Sequence, residues 1–215
     1  MRQHSILILL IALIISSYSL TAAAVRGGIQ YSIPIDYSKL SEKELDLKAR
    51  DYFFNGLKDT DIKNSENITN ALFLYTVLEK INPAKVEYYV KLGILYDRLE
   101  KDRHAKGNFC KAISINSTNP ETYFYFGEFY YRRENYRKAL IYYNKAYVNG
   151  FNHNYDTLYK IGDIYEIFGD SRSALKYYKE AYAQSPNKIL QDKIKNMEEF
   201  DSTNREFYSD TRLRG

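Results

Sequence analysis

The chain has 215 residues, enough for one full hydrophobic core or one short array of structural repeats. Hydrophobic residues make up 45% of it, a share that excludes wholesale disorder, and 23 Tyr and 11 Phe occur without any Trp. A formal net charge of +4 is too small to indicate a nucleic acid or an anionic membrane surface as the partner, because each calls for a concentrated basic patch.

The first 24 residues have the pattern of a secretory signal peptide. Arg2 precedes an unbroken apolar run from Ile6 to Ile15, and small and polar residues follow up to Ala24. A positive start, an apolar core and an Ala-x-Ala site are the parts of such a signal, so we predict cleavage after Ala24 and export to the periplasm or the cell exterior. The alternative is an uncleaved membrane anchor, because residues 6–25 are long enough to span a bilayer.

Residues 25–40 show no helical periodicity and are predicted to form an extended leader. The segment 41–83 is predicted to hold two helices, the first of which begins at a capping box formed by Ser41 and Glu44. The small residues of these two helices, Ala49 and Ala71, are about ten residues farther apart than Gly93 and Ala105 in the next pair. This pair is therefore predicted to be a degenerate first repeat.

Three helix pairs with one shared residue pattern follow, at 84–119, 120–154 and 155–186. Each has a large apolar residue before a Gly, then a Tyr, an Ala at the start of the second helix and an aromatic ring four residues after that Ala. These positions are Leu92-Gly93, Tyr96, Ala105 and Phe109, then Phe126-Gly127, Tyr130, Ala139 and Tyr143, then Ile161-Gly162, Tyr165, Ala174 and Tyr178. The Gly and Ala are predicted to let the two helices approach, and the second-helix ring to reach into the next pair. Neither helix can bury its face alone, so stability comes from contacts between neighbours.

Turn residues support these helix boundaries. Asp102, Asn135 and Asp170 each precede the repeated Ala by three or four residues, where a helix N-cap is expected. After the last pair, residues 187–200 are predicted to form a capping helix that shields the array, and residues 201–215 a flexible tail.

The shared pattern resembles the tetratricopeptide repeat, a helix–turn–helix unit of about 34 residues with the pattern Leu-Gly-x2-Tyr…Ala-x3-Phe…Pro. Leu92-Gly93-x2-Tyr96…Ala105-x3-Phe109 matches it almost letter for letter, and the resemblance covers about residues 42–200. Tyr replaces the leading Trp of the family in two copies, and Leu158 replaces it in the third. The resemblance implies an all-α fold, a right-handed α-solenoid of about four antiparallel helix pairs with a C-terminal capping helix. It also implies a non-enzymatic scaffold or adaptor that binds another protein.

No arrangement of residues in the sequence indicates an active site, a cofactor or a metal. His104 and His153 lie about one and a half repeats apart, and no Cys or His spacing typical of zinc ligands occurs. Neither a Gly-rich phosphate loop nor a nucleophile elbow is found. We therefore predict that the protein is not an enzyme and binds no cofactor, no metal and no nucleic acid.

Partner binding is predicted on the inner helices of the array, at positions that the repeat pattern leaves free. Counted from the three repeated Gly residues, these groove positions are Val90, Ile94, Phe124, Tyr125, Glu128, Tyr131, Tyr159 and Asp163. Aromatic residues lie in the middle and acids outnumber bases around them, so the predicted partner is a protein segment with apolar and basic residues. Family members that clamp a C-terminal carboxylate carry Lys, Asn and Arg at such sites, and the apolar side chains here argue against that clamp.

Two alternatives to the groove remain open at this point. The Tyr and Phe side chains could pack helix against helix without binding anything. The array could also be a structural, self-associating repeat module that has no peptide ligand.

Overall fold

The computed structural model describes residues 37–212, with side chains up to residue 200 apart from Ser38. The predicted signal peptide or anchor, and the leader up to residue 36, lie outside the described residues. No helix in the described range is long and apolar enough to cross a membrane.

The described residues form helices joined by turns and short loops and contain no strand, which confirms the predicted all-α fold. The helices are α1 (Glu42–Gly56), α2 (Glu66–Ile81), α3 (Val86–Arg98), α4 (Asp102–Ile115), α5 (Pro120–Tyr131), α6 (Tyr136–Ala146), α7 (Tyr155–Ile167), α8 (Ser171–Gln184) and α9 (Lys188–Arg212). Two short 3-10 turns, Tyr37–Lys39 and Ile62–Asn64, and one π-helical turn, Tyr147–Phe151, lie between or before them. The end of the predicted extended leader is thus a 3-10 turn, held by Tyr37, whose buried ring lies 6.0 Å from that of Phe73.

The chain divides into two compact units, Met1–Ser117 and Thr118–Gly215. In the first unit α1 packs on α2 and α3 on α4, and α2 contacts α3. In the second unit α5 packs on α6 and α7 on α8, α6 contacts α7, and α9 contacts α8. Within each unit, consecutive helix pairs therefore stack on their neighbours, as in an α-solenoid.

An aromatic ring covers the glycine of the facing helix in each of the three repeated pairs. A methyl group on these glycines would lie 2.7 Å (Gly93 to Phe109), 2.8 Å (Gly127 to Tyr143) and 2.9 Å (Gly162 to Tyr178) from the nearest ring carbon. Tyr143 also packs with Ile161 and Ile164 of the following pair, as predicted for that ring. The aromatic ring thus occupies the space that a side chain at the glycine position would need.

Capping residues begin most of the helices that the sequence predicted. The capping box of Ser41 is present, and the side chains of Asn135 and Asp170 accept hydrogen bonds from the backbone three residues on. The prediction for Asp102 is wrong, because α4 already begins at Asp102 and its cap position is Lys101, which makes no side-chain cap bond. Asp102 instead lies in the first turn, where its charge favours the helix dipole.

The last helix extends past its predicted end. α9 runs from Lys188 to Arg212, whereas the sequence predicted a capping helix that ends at residue 200 and a flexible tail after it. Residues 201–212 lack an apolar stripe, but adding a residue to an existing helix needs no new nucleation. Loss of amphipathic periodicity therefore did not mark the end of the helix.

We expect Asn154→Ala to lower the free energy of unfolding by about 1–2 kcal/mol. Asn154 Oδ1 accepts hydrogen bonds from the backbone N–H of Thr157 at 2.8 Å and from its hydroxyl at 2.9 Å, and Thr157 is fully buried. Urea denaturation followed by circular dichroism measures the loss. Asn154→Asp keeps an acceptor and should stay within about 0.5 kcal/mol of the parent protein. Equal losses in the two variants would contradict the capping role.

Candidate protein-interaction surface

Two of the predicted groove residues, Val90 and Ile94, lie on α3 in the first unit. Val90 is fully buried and Ile94 is 5% exposed. Every side chain from Tyr88 to Leu95 is buried, as expected for a helix that is apolar on nearly all sides. Neither residue offers a surface to a partner, and this burial argues against the prediction for both.

Phe124 on α5 and Tyr159 on α7 occupy equivalent positions and are partly buried. The ring of Phe124 lies 5.7 Å from that of Tyr143, and the ring of Tyr159 lies 5.5 Å from that of Tyr178. Each therefore packs on the large ring of its own helix pair. For these two residues the packing role set out as an alternative is present in the structure.

The other four predicted residues lie on α5 and α7, and two of them, Glu128 and Tyr131, contact Lys160 of α7. The Tyr131 hydroxyl on α5 donates a hydrogen bond to the Asp163 carboxylate on α7. Lys160 Nζ on α7 lies 3.6 Å from Glu128 Oε1 and 3.8 Å from the centroid of the Tyr131 ring. Side chains thus join two successive inner helices of the second unit. We call the face formed by α5 and α7 the α5/α7 surface.

This surface is acidic. The two helices carry one basic residue, Lys160, against five carboxylates, those of Glu121, Glu128, Asp156, Asp163 and Glu166. Burial raises the pKa of the Tyr125 hydroxyl, and three of these carboxylates (Glu121, Glu128 and Asp156) raise it further. Tyr125 therefore lies within the electrostatic reach of acids from both helices.

Buried tyrosines hold two of the carboxylates in place. The hydroxyl of Tyr143, which is fully buried, donates a hydrogen bond to Glu128. Tyr178 is also fully buried, and its hydroxyl donates to Glu166 at 2.6 Å. Burial raises the pKa of Glu166, but the hydrogen bonds from Lys193 and Tyr178 outweigh it, so the pKa is lowered overall. Both carboxylates are thus fixed by side chains that cannot move freely.

Sequence reasoning missed a cavity beside α9. It has a volume of about 870 Å³ and is lined by Glu166, Ser171, Ile189, Asp192, Lys193, Asn196, Met197 and Phe200. Ile189 and Phe200 are 84% and 68% exposed. The available signal is the apolar content of α9, but a capping helix predicts that Ile189 faces the last repeat, whereas its side chain is exposed.

The described residues include no group of three or more His, Cys, Asp or Glu side chains that could hold a metal ion. Two polar pairs cross between the helices of the α5/α7 surface, Tyr131 with Asp163 and Lys160 with Glu128. The arrangement can offer aromatic faces and carboxylates to a cationic or apolar ligand.

Stacked helix pairs, in which an aromatic ring of the second helix packs against a glycine of the first, are typical of a helical-repeat protein. Residues 86–119 and 155–188 match the family model for the tetratricopeptide repeat. These stretches contain α3 with α4 and α7 with α8, so both pairs are tetratricopeptide repeats, as the residue pattern indicated. The pair between them, α5 with α6, carries the same Gly, Tyr and Ala at the equivalent positions, with Phe126 before the Gly and Tyr143 as the ring of the second helix.

Solved structures share the fold at low sequence identity. A crystal structure of the MamA protein is 21% identical, with a TM-score of 0.55 over 75% of this chain and 86% of that one. PilF of Pseudomonas aeruginosa is 16% identical, with a TM-score of 0.58 over 80% of this chain and 78% of that one. PilW, a type IV pilus biogenesis factor, is 19% identical, with a TM-score of 0.56 over 68% of this chain and 64% of that one. A comparison with curated protein sequences gives no match.

Proposed function

We propose that the chain is a non-enzymatic interaction module that binds a basic, partly apolar segment of another protein on the α5/α7 surface. The observation that carries the proposal is an excess of negative charge around partly exposed tyrosine rings, with five carboxylates against the three cations that approach them, Lys160, Arg132 and Lys193. Tyrosine rings supply apolar contact area and a face for cations, while carboxylates attract Lys and Arg. In this proposal Tyr125, Glu128, Tyr131 and Asp163 contact the partner, whereas Phe124 and Tyr159 support the surface from behind.

The repeats support a role in protein binding, because an array of helix pairs presents successive inner helices to an extended partner. The similarity of fold to PilW, a type IV pilus biogenesis factor, agrees with a scaffold that acts on other proteins. We propose that this chain is likewise a scaffold or adaptor without catalytic activity.

We also propose that the chain is exported and acts in the periplasm or outside the cell. The support is the signal-peptide pattern of residues 1–24. The intact mass of the chain, purified from a host that secretes it, tests this proposal. Loss of residues 1–24 is the expected result, and a full-length mass in the membrane fraction would instead indicate an uncleaved anchor.

A pair of designed peptides tests the binding proposal. One alternates lysine with leucine, and the other alternates glutamate with leucine at the same length. Fluorescence anisotropy with the full chain should show binding of the lysine peptide only, and that binding should weaken as salt is added, because salt screens exposed charges. Equal binding of the two peptides, or binding of neither, would contradict the proposal.

Removing two of the carboxylates should weaken this binding by roughly 2- to 30-fold, because each exposed ion pair contributes about 0.2–1 kcal/mol. The variant is Glu121→Gln combined with Asp156→Asn, which leaves the shape of the surface around Tyr125 unchanged. Glu180→Gln on α8 removes the same kind of charge outside the surface and serves as the control. A loss of affinity in the control as large as in the double variant would mean that net charge alone, and not this surface, attracts the peptide.

A further inference from the structure

Lys160 is held by two groups that would also bind a cation from a partner. Its Nζ lies 3.8 Å from the centroid of the Tyr131 ring, within the distance of a cation–π contact. The same atom lies 3.6 Å from Glu128 Oε1, while Arg132 Nη1 approaches the other oxygen of that carboxylate at 3.9 Å. The ring and the carboxylate together form a site for a positive charge, which we call the cation box.

The walls of the cation box are fixed. Glu128 is held by the hydroxyl of the fully buried Tyr143, and Tyr131 is held by its hydrogen bond to Asp163. A hydrogen bond donated to a carboxylate shifts electron density toward the Tyr131 ring, which strengthens its attraction for a cation. A site with fixed walls loses little entropy when a cation enters it.

The occupant is held less firmly than the walls. Lys160 remains 26% exposed, and its ion pair of 3.6 Å is longer than a hydrogen bond. A lysine side chain also gains rotamer entropy when it is released. By contrast, Lys193 lies 2.6 Å from Glu166 in the neighbouring junction.

The same kind of contact recurs along the inner helices. Lys91, two residues before Gly93, lies 5.0 Å from the ring centroid of Phe53, and Lys160 stands two residues before Gly162 in the same way. In the pair between them this position is Tyr125. A lysine on an aromatic ring of the preceding inner helix is thus a feature of the repeat, and Lys160 is the more exposed of the two.

We propose that Lys160 is an internal substitute for a lysine or arginine of the partner, which displaces it from the cation box on binding. This inference rests on the proposed function and deepens it, because it names one side chain of the partner and the residues that bind that side chain. Lys160 then sets affinity and specificity: a segment must carry a cation that competes for Tyr131 and Glu128.

Lys160→Met tests the proposal, because methionine keeps an apolar stem but removes the lysine cation from the box. We expect the lysine–leucine peptide to bind about 3- to 30-fold more tightly to this variant, since a cation–π contact and an ion pair no longer compete. Lys160→Arg keeps a cation in the box and should bind the peptide no more tightly than the parent chain does. Thermal melting of each variant shows whether it is folded.

Two controls separate the box from general charge. Lys176→Met removes a lysine that is 63% exposed on α8, and should change affinity by less than about 2-fold. Adding Tyr131→Leu to Lys160→Met removes the ring and should abolish the gain. A gain that survives without the ring, or a Lys176 variant that gains as much, would overturn the cation box.

The outcomes distinguish the inference from the function on which it rests. If the parent chain binds the lysine peptide and Lys160→Met binds it equally or less tightly, the displacement proposal is wrong and the binding surface stands. If neither chain binds the peptide, both proposals fall.

Discussion

Replacing Tyr143 with alanine should lower the free energy of unfolding of the second unit by about 3–5 kcal/mol, enough to unfold a marginally stable array. The ring is fully buried, covers Gly127 on α5 and packs with Ile161 and Ile164 on α7. Its loss opens a cavity between two helix pairs, at a point where neither pair can collapse without moving the other. Urea denaturation followed by circular dichroism measures the effect.

Two neighbouring changes show whether the ring is responsible. Ile141→Ala on the same helix removes a side chain that is 55% exposed, and should change the free energy of unfolding by less than about 0.5 kcal/mol. Tyr143→Phe keeps the ring but leaves Glu128 without its hydroxyl donor, and should cost about 1.5–3 kcal/mol, less than the alanine variant. If Tyr143→Ala and Ile141→Ala lower the free energy of unfolding by the same amount, Tyr143 does not join the two helix pairs.

The fold was predictable because its determinants are local. Leu92-Gly93, Tyr96, Ala105 and Phe109 lie on two short helices and return in the next two pairs, so one pattern gives helix length, turn position and pairing together. Each of these positions serves the contact within a pair or with the adjacent pair. Helical periodicity in a sequence predicts contacts of this short-range kind.

The candidate surface was predictable only in part, because helical phase gives a direction and not the depth of burial. Phase placed Val90, Phe124 and Tyr125 on the same inner side, yet the first is fully buried, the second packs on Tyr143 and the third lies among carboxylates. Which outcome holds depends on the size of neighbouring side chains from other helices. Phase also places Lys160 on this side, but its contacts with Glu128 and Tyr131 could not be predicted, because they cross from one repeat to the next.

Gly93→Ala should destabilise the first unit by about 1–3 kcal/mol, although alanine is the better helix former. The added methyl group would lie 2.7, 2.9 and 2.9 Å from three ring carbons of Phe109. That ring has little room to move, because Phe109 is fully buried, as are Ala105 and Ala112 about one turn before and after it on the same helix. Overpacking at this crossing therefore outweighs the gain of about 1 kcal/mol in helix propensity. The midpoint of urea denaturation measures the change.

Gly107→Ala is the matched test of that argument, because it makes the same chemical change on the helix that carries Phe109. A methyl group at Gly107 meets nothing within 4 Å, so only the propensity term acts, and we expect stabilisation by about 0.5–1 kcal/mol. If Gly93→Ala lowers the free energy of unfolding and Gly107→Ala raises it, the contact with Phe109 is what requires glycine at position 93. If both variants are stabilised, the two helices can move apart by a few tenths of an ångström at no cost, and the ring on glycine is not the contact that sets their distance.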